Sequence, residues 1–320
     1  MRAIQVTEHG GPEVLAPVDV PTPTAGEGQV LVDVAAAGVN YIDTYQRTGA
    51  YPIDTPFLLG MEGAGTVRAV GPGVDGISVG VRVAWKEGLG SYAESVAIEA
   101  SEAVPVPDGV ADELAAAAIL QGITAHYLAT STYPVQAGDW VVVHAAAGGV
   151  GQLLTQIVKL RGGHVLATTS TPAKADLAAA AGADQVVAYD EMLQAARQLT
   201  NGTGVAAVYD GVGKATFDDS LAALRIRGTM VLFGAASGPV PAFDPQRLNR
   251  GGGLYLTRPT IAHYTRDRAE LTARTDEIFG WVADGSLRVE IGHRYPLAEA
   301  AQAHRDLEGR KTTAKVLLSP

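Results

Sequence analysis

The stretch from Gly138 to Leu160 leaves few folds open. Behind a Gly138-Asp139 turn, Asp139 to Val143 is a short, apolar, β-branched run, which suits a strand covered on both faces of a parallel sheet. The period then changes: Val150, Leu153, Leu154, Ile157, Val158 and Leu160 recur at helical spacing, with Gln152, Gln156, Lys159 and Arg161 between them. Ala145-x-x-Gly148-x-x-Gly151 joins strand to helix. Small residues there let the backbone turn sharply, let a pyrophosphate approach and let the helix pack close to the sheet, while free N–H groups at the helix start face the phosphate charge. Taken alone, such a triplet also fits an ordinary βα turn.

The chain beyond it alternates strand and helix as a doubly wound domain should. Val165 to Thr169, Gln185 to Tyr189, Val205 to Asp210, Gly228 to Phe233 and Leu254 to Thr257 read as strands, and Pro172 to Ala181 as a helix stopped by Gly182. Residues 1 to about 120 are mainly β: Gln29 to Ala36, Ala64 to Val70 and Val79 to Trp85 are candidate strands, punctuated by Gly71-Pro72-Gly73 and Asp75-Gly76. Ala111 to Tyr127 reads as a bridging helix, broken near Gly122. The tail gives a helix over Arg268 to Asp284, a strand over Leu287 to Ile291, a helix over Leu297 to Glu308 and a closing strand over Ala314 to Leu318.

Composition narrows the function classes. With 320 residues, 47% of them hydrophobic, the chain can bury two cores of ordinary size. No apolar run reaches the roughly 20 residues that cross a bilayer, and the opening residues look like a strand, so a cytoplasmic protein is expected. There is no cysteine, which removes disulfides, thiolate nucleophiles and cysteine-ligated zinc. The seven histidines show no ligand spacing, and a net charge of −10 disfavours nucleic acid as a partner. No Gly-x-Ser-x-Gly elbow occurs.

The preferred dinucleotide follows from charge. NAD-binding folds place an Asp or Glu about 20 residues past the glycines to hold the ribose 2′-hydroxyl. Here that position falls on Ser170, within Thr168-Thr169-Ser170-Thr171, and no carboxylate is present. Hydroxyls and backbone N–H groups can donate to a 2′-phosphate, and Lys174, in the first turn of the next helix, adds positive charge. This predicts NADPH rather than NADH. Taken alone, Lys174 also fits a solvated helix-surface lysine.

Several motifs together resemble the quinone oxidoreductase and zeta-crystallin branch of the zinc-free medium-chain dehydrogenase/reductases. They are Gly10-Gly11-Pro12-Glu13-Val14-Leu15, Gly38-Val39-Asn40-Tyr41-Ile42-Asp43-Thr44-Tyr45, Gly60-Met61-Glu62-x-x-Gly65, Gln121-Gly122-Ile123-Thr124-Ala125 and Ala146-Ala147-Gly148-Gly149-x-Gly151 with Gln156 and Lys159. Val142 departs from the usual leucine, a small aliphatic change. Zinc-dependent relatives carry Gly-His-Glu where this chain has Gly60-Met61-Glu62.

The resemblance implies a GroES-like domain (1–122 with 262–320), a Rossmann domain (123–261) and a substrate cleft between them. It implies cofactor contacts from Thr124, Tyr127, Ala147, Gly148, Gly149, Val150, Gly151, Thr169, Ser170, Lys174, Tyr189, Phe233, Gly234, Ala235 and Arg258, and catalytic positions at Asn40, Asp43, Tyr45 and Tyr51. Plain core packing is an equal reading for Tyr45, Tyr51 or Phe233 singly. The implied reaction is NADPH-dependent reduction of quinones without metal. The alternatives are reduction of the C=C bond of enones or enoyl thioesters, and a binding protein of crystallin or RNA-binding type. The implied assembly is a homodimer paired through the sixth strand.

Overall fold

Short β-branched runs between Gly, Pro and Asp turns make the first third of the chain β-rich. In the computed structural model, which describes residues 1–320, β1 (Arg2–Val6) pairs antiparallel with β2 (Leu15–Asp19). The eleven-residue β3 (Gln29–Val39) is followed at once by α1 (Tyr41–Arg47). Then come β4 (Phe57–Leu58), β5 (Glu62–Val70), β6 (Arg82–Trp85), β7 (Ser95–Glu99), β8 (Val104–Pro105) and α2 (Asp112–Tyr127).

α1 has no counterpart in the hydrophobic pattern. It exists because Asn40 takes an extended conformation at its N-cap and donates its backbone N–H to the Asp43 carboxylate, 2.8 Å away. α2 runs unbroken through Gly122, against the expectation of a break. Its residues Ala115 to Ile119 and Ile123 to Tyr127 are buried, and burial offsets the roughly 1 kcal/mol helix cost of one glycine.

The parallel sheet that follows is built from β9 (Trp140–Val143), β10 (His164–Thr168), β11 (Gln185–Val187), β12 (Val205–Asp210), β13 (Leu224–Leu232) and β14 (Tyr255–Thr257), in the order β11-β10-β9-β12-β13-β14. The order reverses between β9 and β12, which is the switch point where such sheets bind ligands at their strand C-termini. The helices are α3 (Gly149–Leu160), α4 (Pro172–Ala180), α5 (Met192–Leu199), α6 (Phe217–Ala223) and α7 (Gln246–Arg250). α3 is covered along its whole width, since every residue from Gly151 to Val158 is buried, Gln152 and Gln156 included. Tyr189, expected in the third strand, opens a 3-10 turn after β11 instead.

The tail supplies α8 (Arg268–Asp284), β15 (Ile291–Pro296), α9 (Ala300–Glu308) and β16 (Lys315–Ser319). The expected strand over Leu287 to Ile291 is not there. Gly285, at φ 80°, ends α8 in a left-handed cap, and Leu287, 1% exposed, donates its N–H to the Trp281 carbonyl. Leu287 is thus held on the helix end, and the strand begins only at Ile291.

Cα packing divides the chain into two units, Met1–Gln121 with Asp267–Pro320, and Gly122–Arg266. The first holds a β2-β1-β4 sheet and a larger sheet of order β15-β16-β3-β5-β6-β8, with β7 also paired to β3. Its core includes Val30, Val32, Val67, Trp85, Tyr92 and Leu318, whereas the second unit packs Val142, Leu166, Val208, Phe217 and Met230. No helix is long and apolar enough to cross a membrane.

Candidate active site

At the end of β9 the chain turns at Ala145, which takes a left-handed φ of 51°. The Ala146 N–H donates to the Thr168 carbonyl at 3.1 Å, tying the turn to β10. α3 then starts at Gly149 with Gly148 as an extended N-cap and no side-chain cap. Its first N–H groups and its dipole are therefore presented to an anion. A Cβ on Gly151 would lie 2.5 Å from Ala145 O and 2.7 Å from Ala146 Cα, so the helix can sit this close only with glycine there. Gln152, buried, donates its side-chain N–H to the Ala147 carbonyl at 2.8 Å and withdraws that oxygen from an approaching phosphate. These features fit a dinucleotide pyrophosphate held by Ala147, Gly148, Gly149, Val150 and Gly151.

Parallel strands bring the next positions to the same edge. Thr168 of β10 pairs with Val187 of β11, so Thr169, Ser170, Lys174 and Tyr189 follow neighbouring strand ends. Thr169 is buried and Ser170 exposed. Thr171 caps α4, accepting the Lys174 N–H at 3.3 Å. Glu191, close in sequence to Tyr189, is engaged with the Ala188 N–H at 3.1 Å.

Beneath this edge lies a buried network that pattern reading does not reveal. His144 contacts the Thr168 hydroxyl at 2.8 Å and the Ser220 hydroxyl at 3.0 Å. Ser220 and Thr216 donate to one oxygen of Asp210, and the N–H groups of Val212 and Gly213 donate to the other. Burial lowers the His144 pKa and keeps the ring neutral. The ring lies 5.8 Å from that of Tyr189, at 18°. The network thus ties the ends of β9, β10 and β12 at the switch point.

Phe233 and Gly234 both donate backbone N–H to the Asp210 carbonyl, which closes the loop after β13 onto the loop after β12. Ala235 follows, half-buried. Arg258 is exposed directly after the edge strand β14. Thr124 and Tyr127 sit on the C-terminal part of α2, both buried, and one face of Tyr127 is covered by Tyr264 at 4.4 Å and 6°.

The other unit holds the four expected catalytic positions on or beside α1. Tyr45 and Tyr51 lie with ring centroids 5.3 Å apart, and Tyr51 is 44% exposed. Asn40 sits deeper, and its side chain is held by three partners. Its Oδ1 accepts from Lys315 Nζ and Gln121 Nε2, each at 3.0 Å, and its Nδ2 donates to Glu62 Oε1 at 2.5 Å. Lys315 is ion-paired to the same Glu62, and both are buried.

Asp43, one of the expected catalytic positions, has a fully buried side chain. Its Oδ2 accepts from Asn40 N–H and from Tyr92 OH at 2.9 Å, while its Oδ1 has no partner. Burial pushes its pKa up to about 7 against those hydrogen bonds. Behind Tyr92 stands His304 at 3.2 Å, then Arg47 at 2.9 Å from the second ring nitrogen, then Glu308. Burial, with Arg47 beside it, lowers His304 to about 3. Arg47 therefore donates to Nδ1, His304 donates through Nε2 to Tyr92, and Tyr92 donates to Asp43. Arg47, Tyr92, His304 and Lys315 were not singled out from sequence. The one local hint is a lysine opening the apolar run Val316-Leu317-Leu318.

The donor set does not fit zinc. Met61 takes the place of the zinc-binding histidine, and its sulfur accepts from Gln46 Nε2 at 3.2 Å. There is no cysteine, and no group of three or more His, Asp or Glu side chains is placed to hold a metal.

Residues 26–108 match the alcohol dehydrogenase GroES-like domain and residues 149–272 the zinc-binding dehydrogenase domain. A quinone oxidoreductase of Pseudomonas aeruginosa is 43% identical, over 100% of this chain and 99% of its own length. A 2-haloacrylate reductase of Burkholderia is 36% identical over 99% of this chain and 98% of its own. A mycobacterial protein solved in complex with NADPH is 53% identical and superposes with a TM-score of 0.98, covering 100% of both chains. With that identity sustained over full length, the chain belongs to the quinone oxidoreductase family of the medium-chain dehydrogenase/reductase superfamily.

Proposed function

We propose that this chain reduces quinones to hydroquinones with NADPH. The observation that carries the reading is the pairing of a carboxylate-free strand edge at Thr169-Ser170 and Lys174 with a glycine turn shaped for pyrophosphate. Likeness to a protein solved with NADPH, and to a curated quinone oxidoreductase, supports it.

Ala147 to Gly151 hold the diphosphate; Ser170, Lys174 and Tyr189 hold the 2′-phosphate; Phe233, Gly234, Ala235, Thr124, Tyr127 and Arg258 complete the enclosure. When bound, NADPH supplies hydride, and the balanced reaction takes one further proton from solvent to give hydroquinone and NADP⁺. Quinone carbonyls are conjugated and readily reduced, so no Lewis acid is required. Asn40, Tyr45 and Tyr51 orient the flat acceptor and shield it from water. Asp43 acts behind them, holding Asn40.

The likeness to 2-haloacrylate reductase favours a second reading, reduction of a polarised C=C bond. NADPH oxidation with 1,4-benzoquinone or 1,2-naphthoquinone, run beside NADH and crotonaldehyde, separates the two. Quinone-dependent turnover that prefers NADPH supports the first reading. Turnover with the alkenal alone replaces it by the second, and turnover with neither removes both.

A homodimer belongs to this proposal, because β14 is an edge strand whose Tyr255 is 61% exposed, and Ile226 of the adjoining strand β13 is 72% exposed. Light scattering on the purified protein tests it, and a monomer at micromolar concentration would refute it.

A further inference from the structure

We propose that Lys315 is a positioning residue for the reaction: its ion pair with Glu62, seated over the bare backbone of Gly38, fixes which way the Asn40 amide faces. The proposal rests on the reading that Asn40 touches the acceptor or the nicotinamide.

Three adjacent strands make the arrangement. β3 is central, with Gly38 opposite Leu317 of β16 on one side and opposite Glu62 of β5 on the other. Gly38 has no side chain, and the ion pair uses that space: a Cβ there would overlap the Glu62 carboxylate and fall 2.6 Å from Lys315 Nζ. The second Glu62 oxygen accepts the Leu120 N–H at 3.0 Å, so the carboxylate is anchored to α2 beside Gln121.

The consequence concerns Asn40. Its Oδ1 faces two donors, Lys315 Nζ and Gln121 Nε2, and its Nδ2 faces a carboxylate oxygen. Rotating the amide by half a turn would set its NH₂ against both donors and its oxygen against the carboxylate, a fully repulsive arrangement in a buried site. Only one hydrogen of Nδ2 is used by Glu62. The other is a donor of fixed direction, suited to a carbonyl oxygen of the quinone or of the nicotinamide carboxamide. Without the ammonium, Gln121 and the Glu62 carboxylate still oppose rotation, but the charged one of the two donors that face Oδ1 is lost and the donor direction is held less firmly.

The test is a double-mutant cycle on the full chain, using Asn40→Ala, Lys315→Met and their combination, with 1,4-benzoquinone and NADPH. Lys315→Met is expected to lower kcat about tenfold while leaving the KM for NADPH within about twofold, and to add nothing further in the Asn40→Ala background. A loss that multiplies with Asn40→Ala, or no loss at all, overturns the proposal. Wild-type kcat in Asn40→Ala alone instead overturns the reading of Asn40, so the two failures are separable. Should Lys315→Met fail to fold, the neutral pair Lys315→Met/Glu62→Gln removes the stranded buried charge. The same non-additivity with Asn40→Ala is then required.

Discussion

The two units prepare for a ligand in opposite ways. In the Rossmann unit the feature suited to an anion is main chain: a left-handed Ala145, an uncapped helix start and glycines placed where a Cβ would strike backbone. The other unit sets a single amide by side chains, backed by a buried ion pair and a chain of hydrogen bonds from Glu308 to Asp43. Main-chain sites tolerate change in the side chains around them but not in volume at the glycines. A site set by buried charge is sensitive to loss of one partner, because the other is left stranded in low dielectric.

The largest effect should follow from breaking the buried charge. Glu62→Ala leaves Lys315 uncompensated and should destabilise the fold by about 3–5 kcal/mol in urea unfolding. By contrast, Lys159→Ala, which breaks the half-exposed pair with Asp184, should cost no more than about 1 kcal/mol. Equal losses would erase the distinction drawn between the units.

Gly151→Val attacks the main-chain site. Its Cβ would meet Ala145 O and Ala146 Cα, neither of which can yield, so the Kd for NADPH should rise about 100-fold, near 2.7 kcal/mol, by fluorescence titration. Lys174→Ala probes the 2′-phosphate alone. It should raise the KM for NADPH about tenfold and leave that for NADH nearly unchanged. Equal effects on both cofactors would end the assignment.

The smallest effect, in the wild type, is one of pH. In the folded protein Asp43 is raised to about 7 from its usual 3.8, and His304 is lowered to about 3 from 6.5, each chiefly by burial. The raised carboxyl stabilises the fold fully below pH 3.8 and loses that contribution as pH climbs through 7. The lowered imidazole stabilises above pH 6.5, and its contribution is lost as pH falls towards 3. Between about pH 4 and 6.5 the two slopes oppose, and the wild type should show little dependence from this pair. His304→Gln should unmask stability that falls with rising pH, by at most about 1.4 kcal/mol per pH unit, and Asp43→Asn the reverse slope. Flat profiles in both variants would show that neither group is shifted as stated.

Residues near in sequence and residues brought together from afar differed in how far they could be read. The β9-turn-α3 unit is local: thirteen residues carry the strand, the turn and the helix start, so the change of period around the small residues is legible in the sequence. The missing acid at Ser170 is equally local. α8 was legible end to end from its Asp267 cap to Gly285. α1 was not, because a seven-residue helix rests on one carboxylate and one N–H rather than on an apolar stripe. Gln152 and Gln156 lie between the apolar positions of α3, and their burial comes from packing that covers the helix on all sides.

The Asn40 cluster shows the limit most plainly. Asn40, Glu62, Tyr92, Gln121, His304 and Lys315 come from six separate stretches, and nothing in the residues around Lys315 says that its charge is buried against Glu62. Sequence by itself determined the parallel sheet, the glycine turn into α3, the lack of any cysteine ligand and the expectation of a 2′-phosphate, since each depends on residues a few positions apart or on a residue type being absent. Tertiary structure decided which amide is enclosed by partners, which carboxylates are buried and which histidine stays neutral, because burial and charge pairing are properties of neighbours in space.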